Sequence, residues 1–200
     1  MPISNDEELV RAVAQVDDLI RAIQDYCGRE NRADAKIKFP RGVMRTAESY
    51  RVWLPDYLDR EKKSNCAYSF MFLDVLWWLS VRTDISSVGK QMVLKSAIVT
   101  LGTVLEACLY VPGLPKTKYL SNLGNAGAKD RIENTHKRGW ISETERDCLK
   151  QLWDHRTNVH QKKIQADSEL DLYSVDHVNA PYAALLNLLT KLKEWNGKDG

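Results

Sequence analysis

The segment Cys148–His160, with the sequence CLKQLWDHRTNVH, combines a helical pattern with the densest group of reactive side chains in the chain. Its apolar residues recur every three or four positions, which is typical of an amphipathic helix. Arg156 and His160 lie four residues apart, so a helix makes them neighbours on one face. The pattern therefore predicts a permanent cation and a titratable imidazole side by side near the C-terminal end of a helix.

The same helical periodicity appears along most of the chain, whereas no segment has a convincing strand pattern. Capping boxes, in which Ser is followed three residues later by Glu, predict helix starts at Ser4 and Ser142. Gly28 and Gly139 follow periodic segments and predict helix ends. We therefore expect an all-α fold, a helical bundle of six to seven helices. The predicted helices run over about 4–27, 46–54, 64–82, 88–111, 125–138, 143–160 and 179–195.

Length and charge limit the organisation of the chain. Two hundred residues with 44% hydrophobic content suffice for one substantial domain, which buries roughly 70% of the extended chain's surface. We therefore expect a single domain over 1–200. The net charge is only +2, so any contact with nucleic acid depends on local basic patches rather than on a global field.

The cysteines and the N-terminus favour a cytoplasmic protein. Four cysteines, at positions 27, 66, 108 and 148, are far apart, which suits neither a disulfide framework nor a zinc site. We expect reduced thiols in the core. The first residues are acidic and lack a signal-peptide pattern. The apolar segment 97–114 contains a glutamate and ends with a Pro-Gly pair, so it predicts a buried helix rather than a membrane span.

Two residues of the predicted helix 88–111 are unusual for their position. Gly102 costs about 1 kcal/mol relative to Ala in a helix and often marks the close approach of another element. Glu106 stands in an otherwise apolar run, where a carboxylate requires a partner or access to solvent. Arg156 is the candidate partner, and the alternative of equal weight is a Glu106 side chain that reaches solvent.

Two other features leave their roles open. The segment Arg29–Arg45 contains six basic and two acidic residues, so it could collect phosphates or be an ordinary solvated connection. Trp77 and Trp78 lie in a predicted helix that is apolar on nearly all faces. They could stack bases. Tryptophans among Leu and Met more often belong to a core or a subunit interface, and we expect one of these two locations.

The stretch Arg156-Thr157-Asn158-Val159-His160 resembles the signature of the HEPN superfamily (higher eukaryote and prokaryote nucleotide-binding): an Arg, a polar residue, a short spacer and a His at a helix end. The segment 128–152 is similar to the helix–turn–helix that leads into that motif. The resemblance covers about 88–195, and it implies that the helices of 4–82 pack onto this core. The spacer here is three residues rather than the usual four to six. Thr157 stands where Asn, Asp or His is common.

The resemblance implies metal-independent cleavage of RNA, in which the 2′-hydroxyl of the substrate attacks the neighbouring phosphate. His160 would act as the general base, and Arg156 would hold the non-bridging phosphate oxygens. Asn158, or the Thr157 hydroxyl, would orient the phosphate, and Glu106 would support Arg156. The resemblance implies neither a metal nor another cofactor.

The resemblance also implies partners and a role. Lys162 and Lys163 would contact the backbone of a single-stranded RNA. Superfamily members usually form homodimers, and some are toxins or phage-defence effectors with a cognate antitoxin or defence partner. We therefore expect a cytoplasmic endoribonuclease without membrane association. The alternative is a non-catalytic helical module that binds RNA, nucleotide or a protein partner, in which Arg156 and His160 only stabilise the end of their helix.

Overall fold

The computed structural model describes residues 2–40, 42–109, 126–159 and 172–196. Within these ranges the chain forms seven α-helices and one short 3-10 turn, and it contains no strand. The prediction of an all-α bundle of six to seven helices is confirmed. The helices are α1 (Asp6–Cys27), α2 (Ala47–Arg51), α3 (Arg60–Arg82), α4 (Ser87–Leu109), α5 (Ala128–Lys137), α6 (Glu143–Asn158) and α7 (Asp176–Trp195), and the 3-10 turn is Ala33–Ala35.

The chain divides into two compact units, Met1–Arg41 and Gly42–Gly200, so the single domain expected over 1–200 stays a prediction. Helix α1 is the main element of the first unit, and none of its 22 residues is buried. The N-cap of α1 is Asn5, whose side chain accepts a hydrogen bond from the Glu8 N–H at 2.9 Å. The predicted N-cap, Ser4, instead donates its hydroxyl to the Glu8 carboxylate at 2.7 Å. The cap therefore lies one residue later than predicted, because the Ser4 hydroxyl is engaged with the Glu8 side chain while Asn5 accepts the backbone hydrogen bond.

The second unit is a helical bundle built around α4. This helix contacts α3, α5, α6 and α7, while α2 packs on α3. Ten of its 23 residues are buried, and Leu101 and Leu105 are fully enclosed. By length and composition alone α4 is apolar enough to cross a membrane, but half of its most apolar window is buried inside the protein. Such burial is typical of the central helix of a bundle.

The other helices complete one hydrophobic core around α4. Tyr50 of α2 stacks on Phe70 of α3 with ring centroids 5.1 Å apart, which fixes the short α2 to the long helix. Leu149 and Leu152 of α6 are fully enclosed, as is Leu185 of α7. These contacts place the C-terminal half of α6 directly against α4.

The cysteines follow the prediction only in part. All four are free thiols, and Cys66 and Cys108 are buried in the core. Cys27 and Cys148 are half-buried instead. Cys27 is outside any core because it ends α1, whose residues are not buried.

The start of α3 differs from the prediction because a better cap lies upstream. The helix begins at Arg60 rather than at Ser64 or Asn65. The Asp59 side chain accepts a hydrogen bond from the Lys62 N–H at 2.7 Å, and Asp is among the strongest N-caps. The charged segment before the predicted start is therefore the first turn of α3.

The starts of α5 and α7 are also corrected, while two other predicted boundaries are confirmed. Helix α5 starts at Ala128 rather than at 125 or 126, with Gly127 as its N-cap. Helix α7 starts at Asp176, about one turn before the predicted 179, so that Pro181 lies inside it. A proline at this position removes one backbone hydrogen bond and crowds the carbonyl four residues earlier. The predicted capping box at Ser142 is present, and the predicted end at Gly139 has a positive φ of 71°.

Candidate functional site

Arg156 occupies the last turn of α6, and its side chain lies against α4. Its Nη2 donates a hydrogen bond to Oε2 of Glu106 at 2.8 Å. The guanidinium carbon lies 4.7 Å from the ring centroid of Trp153, one turn earlier on α6. A carboxylate and an aromatic face therefore hold the cation, which fixes its position and leaves it partly exposed.

Gly102 makes this arrangement possible. A Cβ at position 102 would lie 2.7 Å from Cγ of Arg156 and 3.0 Å from its Cβ, closer than such atoms approach each other. The prediction that Gly102 marks a close approach is confirmed, and the approaching element is α6. One turn along α4, the Glu106 carboxylate meets the end of the same arginine side chain.

The predicted pairing of Glu106 with Arg156 is confirmed as a contact. The two side chains are 45% and 30% exposed, so the ion pair lies at the rim of the bundle. Ion pairs this exposed contribute only about 0–1 kcal/mol to stability. The ion pair therefore acts mainly by fixing the position of the guanidinium rather than by adding stability.

Thr157 and Asn158 finish the helix beside Arg156. The Thr157 hydroxyl donates a hydrogen bond to the Asp154 carbonyl at 3.0 Å, so it is engaged with its own helix. Asn158 is the last residue of α6 and is exposed. Of these two candidates for orienting a phosphate, Asn158 has the more accessible side chain.

Three predicted site residues lie outside the described residues: His160, Lys162 and Lys163. Helix α6 ends at Asn158 with Val159 as its C-cap. The predicted position of the motif in the last turns of a helix is therefore confirmed for Arg156. That His160 neighbours Arg156 stays a prediction.

The neighbouring His155 has surroundings that its sequence context did not indicate. Its ring centroid lies 4.5 Å from that of His177 on α7 and 6.0 Å from that of Tyr173. Its Nε2 is buried and finds no hydrogen-bond partner among the described residues. Burial, and then the nearby His177, lower the pKa of His155, while the Asp154 carboxylate has a smaller opposing effect. The fold therefore favours a neutral His155.

A second candidate site is a cavity of about 670 Å³ between α3, α4 and α7, with the segment before α2 at its edge. Its lining is largely apolar, and its polar side chains include Arg45, Asp74 and Lys90. The backbone N–H of Arg45 donates a hydrogen bond to the Asp74 carboxylate at 2.8 Å. The Arg45 guanidinium carbon lies 5.5 Å from the Trp53 ring centroid, so the cation is held near an aromatic face. The cavity thus combines apolar walls with fixed charges.

Trp77 lines this cavity and is 57% exposed. Of the two expected locations, a core or a subunit interface, the core is excluded for Trp77, because the described residues leave the outer face of α3 uncovered. The expectation of a subunit interface stays a prediction. Among the described residues, no group of three or more His, Cys, Asp or Glu side chains could hold a metal ion.

Comparison with known proteins does not assign the chain to a family. No protein-family model matches the chain, and no significant match was found among curated proteins or solved structures.

The Gly102 contact predicts a specific energetic coupling. Gly102→Ala should destabilise the bundle by about 1–3 kcal/mol because the new methyl group overlaps the Arg156 stem. The loss should shrink by at least about 0.5 kcal/mol when Arg156→Ala has already removed that stem. Urea unfolding of the two single variants and the double variant measures this coupling. Equal losses in both backgrounds would contradict the contact.

The environment of His155 predicts a pH dependence. Because its pKa is lowered in the fold, the unfolded chain binds more protons than the folded chain as the pH falls below about 6.5. The contribution of His155 to stability should therefore be constant above that pH and be lost below it. His155→Gln should flatten the decline in chemical unfolding between pH 7.5 and 5. A decline that persists unchanged in His155→Gln would refute the assignment.

Proposed function

We propose that the protein is a metal-independent RNA endonuclease of HEPN type, with Arg156 and His160 as its catalytic residues. The observation that carries the proposal is the fixed position of Arg156 at the end of α6. Glu106 accepts a hydrogen bond from one guanidinium nitrogen, and the Trp153 ring lies next to the guanidinium. The absence of a side chain at Gly102 leaves room for the Cβ and Cγ atoms of Arg156. A cation held in place in this way stabilises developing negative charge without further rearrangement.

The chemistry follows from the groups in the motif. His160 removes the proton from a ribose 2′-hydroxyl, and the resulting oxygen attacks the adjacent phosphorus. The bond to the 5′-oxygen breaks, which yields a 2′,3′-cyclic phosphate and, after protonation, a free 5′-hydroxyl. Arg156 holds the non-bridging oxygens as their charge increases, since its planar fork matches two oxygens at once. Asn158, which is exposed at the end of the same helix, would orient the phosphate.

Glu106 serves as a positioning residue in this proposal. Its carboxylate accepts a hydrogen bond from Nη2 of Arg156, the one side-chain hydrogen bond of Arg156 within the described residues. In the proposed mechanism, the other N–H groups of the guanidinium bind the substrate phosphate. Lys162 and Lys163, which follow the motif, add contacts to the RNA backbone.

The test is cleavage of a single-stranded RNA by the purified chain in EDTA. The wild type should produce cyclic phosphate ends, and Arg156→Ala and His160→Ala should each lose at least about 100-fold in rate. Glu106→Gln should lose about tenfold, because a charged hydrogen-bond acceptor becomes neutral. Arg82→Ala, an exposed arginine at the end of α3, and His155→Gln are matched controls that should retain full activity. Full activity of Arg156→Ala or His160→Ala would overturn the proposal.

The proposed role is that of a cytoplasmic toxin or phage-defence effector restrained by a cognate antitoxin or defence partner. Uncontrolled cleavage of RNA stops growth, so overexpression of the wild type should be toxic to a bacterial host while His160→Ala is tolerated. Equal toxicity of the two proteins would show that toxicity does not depend on His160 and would contradict the proposed role.

A second candidate function, a non-catalytic nucleotide-binding module, is favoured by the cavity between α3, α4 and α7. The exposed Trp77 offers a stacking surface for a base, and Arg45 and Lys90 offer positive charge for a phosphate. The arrangement suits a planar anionic ligand such as a nucleoside monophosphate.

Equilibrium dialysis with adenosine monophosphate tests this second function. Trp77→Ala should weaken binding about tenfold, since stacking of one base contributes about 1–3 kcal/mol. Phe72→Ala removes another exposed aromatic residue of α3 that does not line the cavity, and it should bind normally. Binding that depends on Arg156 rather than on Trp77 would assign the nucleotide to the end of α6 instead.

A further inference from the structure

Two cysteines of different helices meet inside the bundle. Cys66 on α3 and Cys108 on α4 are 3% and 1% exposed, and both are free thiols. The Cys108 thiol donates a hydrogen bond to the sulfur of Cys66, so the two side chains are in contact. A disulfide requires two cysteines whose side chains approach each other in this way. Neither residue takes part in the proposed cleavage of RNA, so the pair is a separate chemical feature of the fold.

The hydrogen bond makes the two thiols chemically unequal. It lowers the pKa of Cys66, while burial has an opposing effect. The same hydrogen bond, and then burial, raise the pKa of Cys108. Because the thiolate is the nucleophilic form of cysteine, Cys66 is the better nucleophile of the two. Cys108 stays protonated beside it, in the position of a second thiol that can resolve an oxidised Cys66.

A small cavity beside Cys108 provides space for a compact reagent. Its volume is about 30 Å³, and its lining also includes Tyr57, Asn134 and Thr135. The Tyr57 hydroxyl donates a hydrogen bond to the Cys108 carbonyl at 2.8 Å, which fixes this side of the cavity. One water molecule needs about 10–15 Å³ of such space. The cavity therefore has room for a polar molecule of two heavy atoms, such as hydrogen peroxide, next to Cys108.

We propose that Cys66 and Cys108 are an oxidation site for hydrogen peroxide, which converts them into a disulfide between α3 and α4. The Cys66 thiolate attacks one oxygen of the peroxide, so that an S–O bond forms, the O–O bond breaks, and the leaving hydroxide takes up a proton to become water. The Cys108 sulfur then attacks the sulfur of the sulfenic acid at Cys66. The S–S bond forms, the S–O bond breaks, and the hydroxyl group leaves as water with the proton of Cys108. One peroxide is reduced to two waters while two thiols are oxidised to one disulfide.

The burial of the pair selects the size of the oxidant. Glutathione disulfide oxidises a thiol by exchange, in which the thiolate must reach a sulfur of the incoming disulfide. Core residues are packed at close to crystal density, so a molecule of that size cannot reach Cys66 or Cys108 in the folded chain. The folded protein should therefore react with hydrogen peroxide and resist glutathione disulfide, whereas the chain unfolded in urea should react with both.

Mass spectrometry of a Cys27→Ser/Cys148→Ser protein tests the disulfide, because the core pair then supplies the only thiols of the chain. Hydrogen peroxide under native conditions should give a monomer lighter by two hydrogen atoms, whose acidic digest contains a peptide that joins Cys66 to Cys108. Dithiothreitol in urea should restore both thiols, and circular dichroism should show a folded bundle during the oxidation. A folded protein that keeps both thiols in peroxide, that forms the disulfide only in urea, or that glutathione disulfide modifies equally fast would overturn the proposal.

Two variants of the same protein test the role of the Cys108 hydrogen bond. Cys108→Ser cannot resolve a sulfenic acid but keeps a hydroxyl donor beside Cys66. Peroxide should therefore produce a sulfenic acid at Cys66 that dimedone traps once catalase has removed the peroxide and urea has unfolded the chain. Cys108→Ala is the matched control without a donor, and its labelling should be about tenfold slower, since one pKa unit changes the thiolate fraction tenfold.

Absence of labelling at Cys66 in folded Cys108→Ser, or equal rates in the two variants, would overturn the assignment of Cys66 as the attacking thiol. The disulfide itself is measured in the protein that retains both core cysteines, so its test does not depend on the folding of either variant.

Discussion

The crossing of α4 and α6 at Gly102 is the contact on which the proposed site depends. A hydrogen atom is the only side chain at position 102, and the stem of Arg156 occupies the space that any larger residue would fill. The arginine is thereby directed along α4 toward Glu106, one turn further on. A glycine in the middle of a helix costs about 1 kcal/mol relative to alanine. Glycine is required at this position because α6 approaches α4 too closely for any larger side chain.

The stability of the bundle and the position of the arginine come from different interactions. The enclosed leucines of α4, α6 and α7 exclude water and hold the helices together. The ion pair between Glu106 and Arg156 is too exposed to add much free energy. Its contribution is geometric, because the aromatic face of Trp153 and the carboxylate approach the guanidinium from two sides. A site built in this way can lose its positioning residue without losing its fold.

Local rules predicted the helices well and their boundaries less well. Periodicity identifies a helix because it reports many residues at once, whereas a cap depends on one side chain among several candidates. Asn5 and Asp59 form the caps in place of the predicted Ser4 and Ser64, and because Asn, Asp and Ser cap about equally well, residue type alone does not choose between them. The pairing of Glu106 with Arg156 was predictable because a carboxylate in an apolar helix needs a partner.

Other contacts between distant helices were not predictable from these patterns. His155 and His177 are 22 positions apart, and nothing in either local segment indicates that their rings meet. The cavity beside Trp77 likewise arises where α3, α4 and α7 fail to fill the space between them. Such features depend on the angles between helices, which periodicity does not specify.

Helices α1 and α4 have 22 and 23 residues but differ in burial. None of the residues of α1 is buried, whereas ten residues of α4 are. Helix α4 is apolar on nearly all faces, and its own chain covers it on several sides. Helix α1 has large apolar side chains together with a polar face. Length therefore does not determine the burial of a helix, which depends on the elements that pack around it.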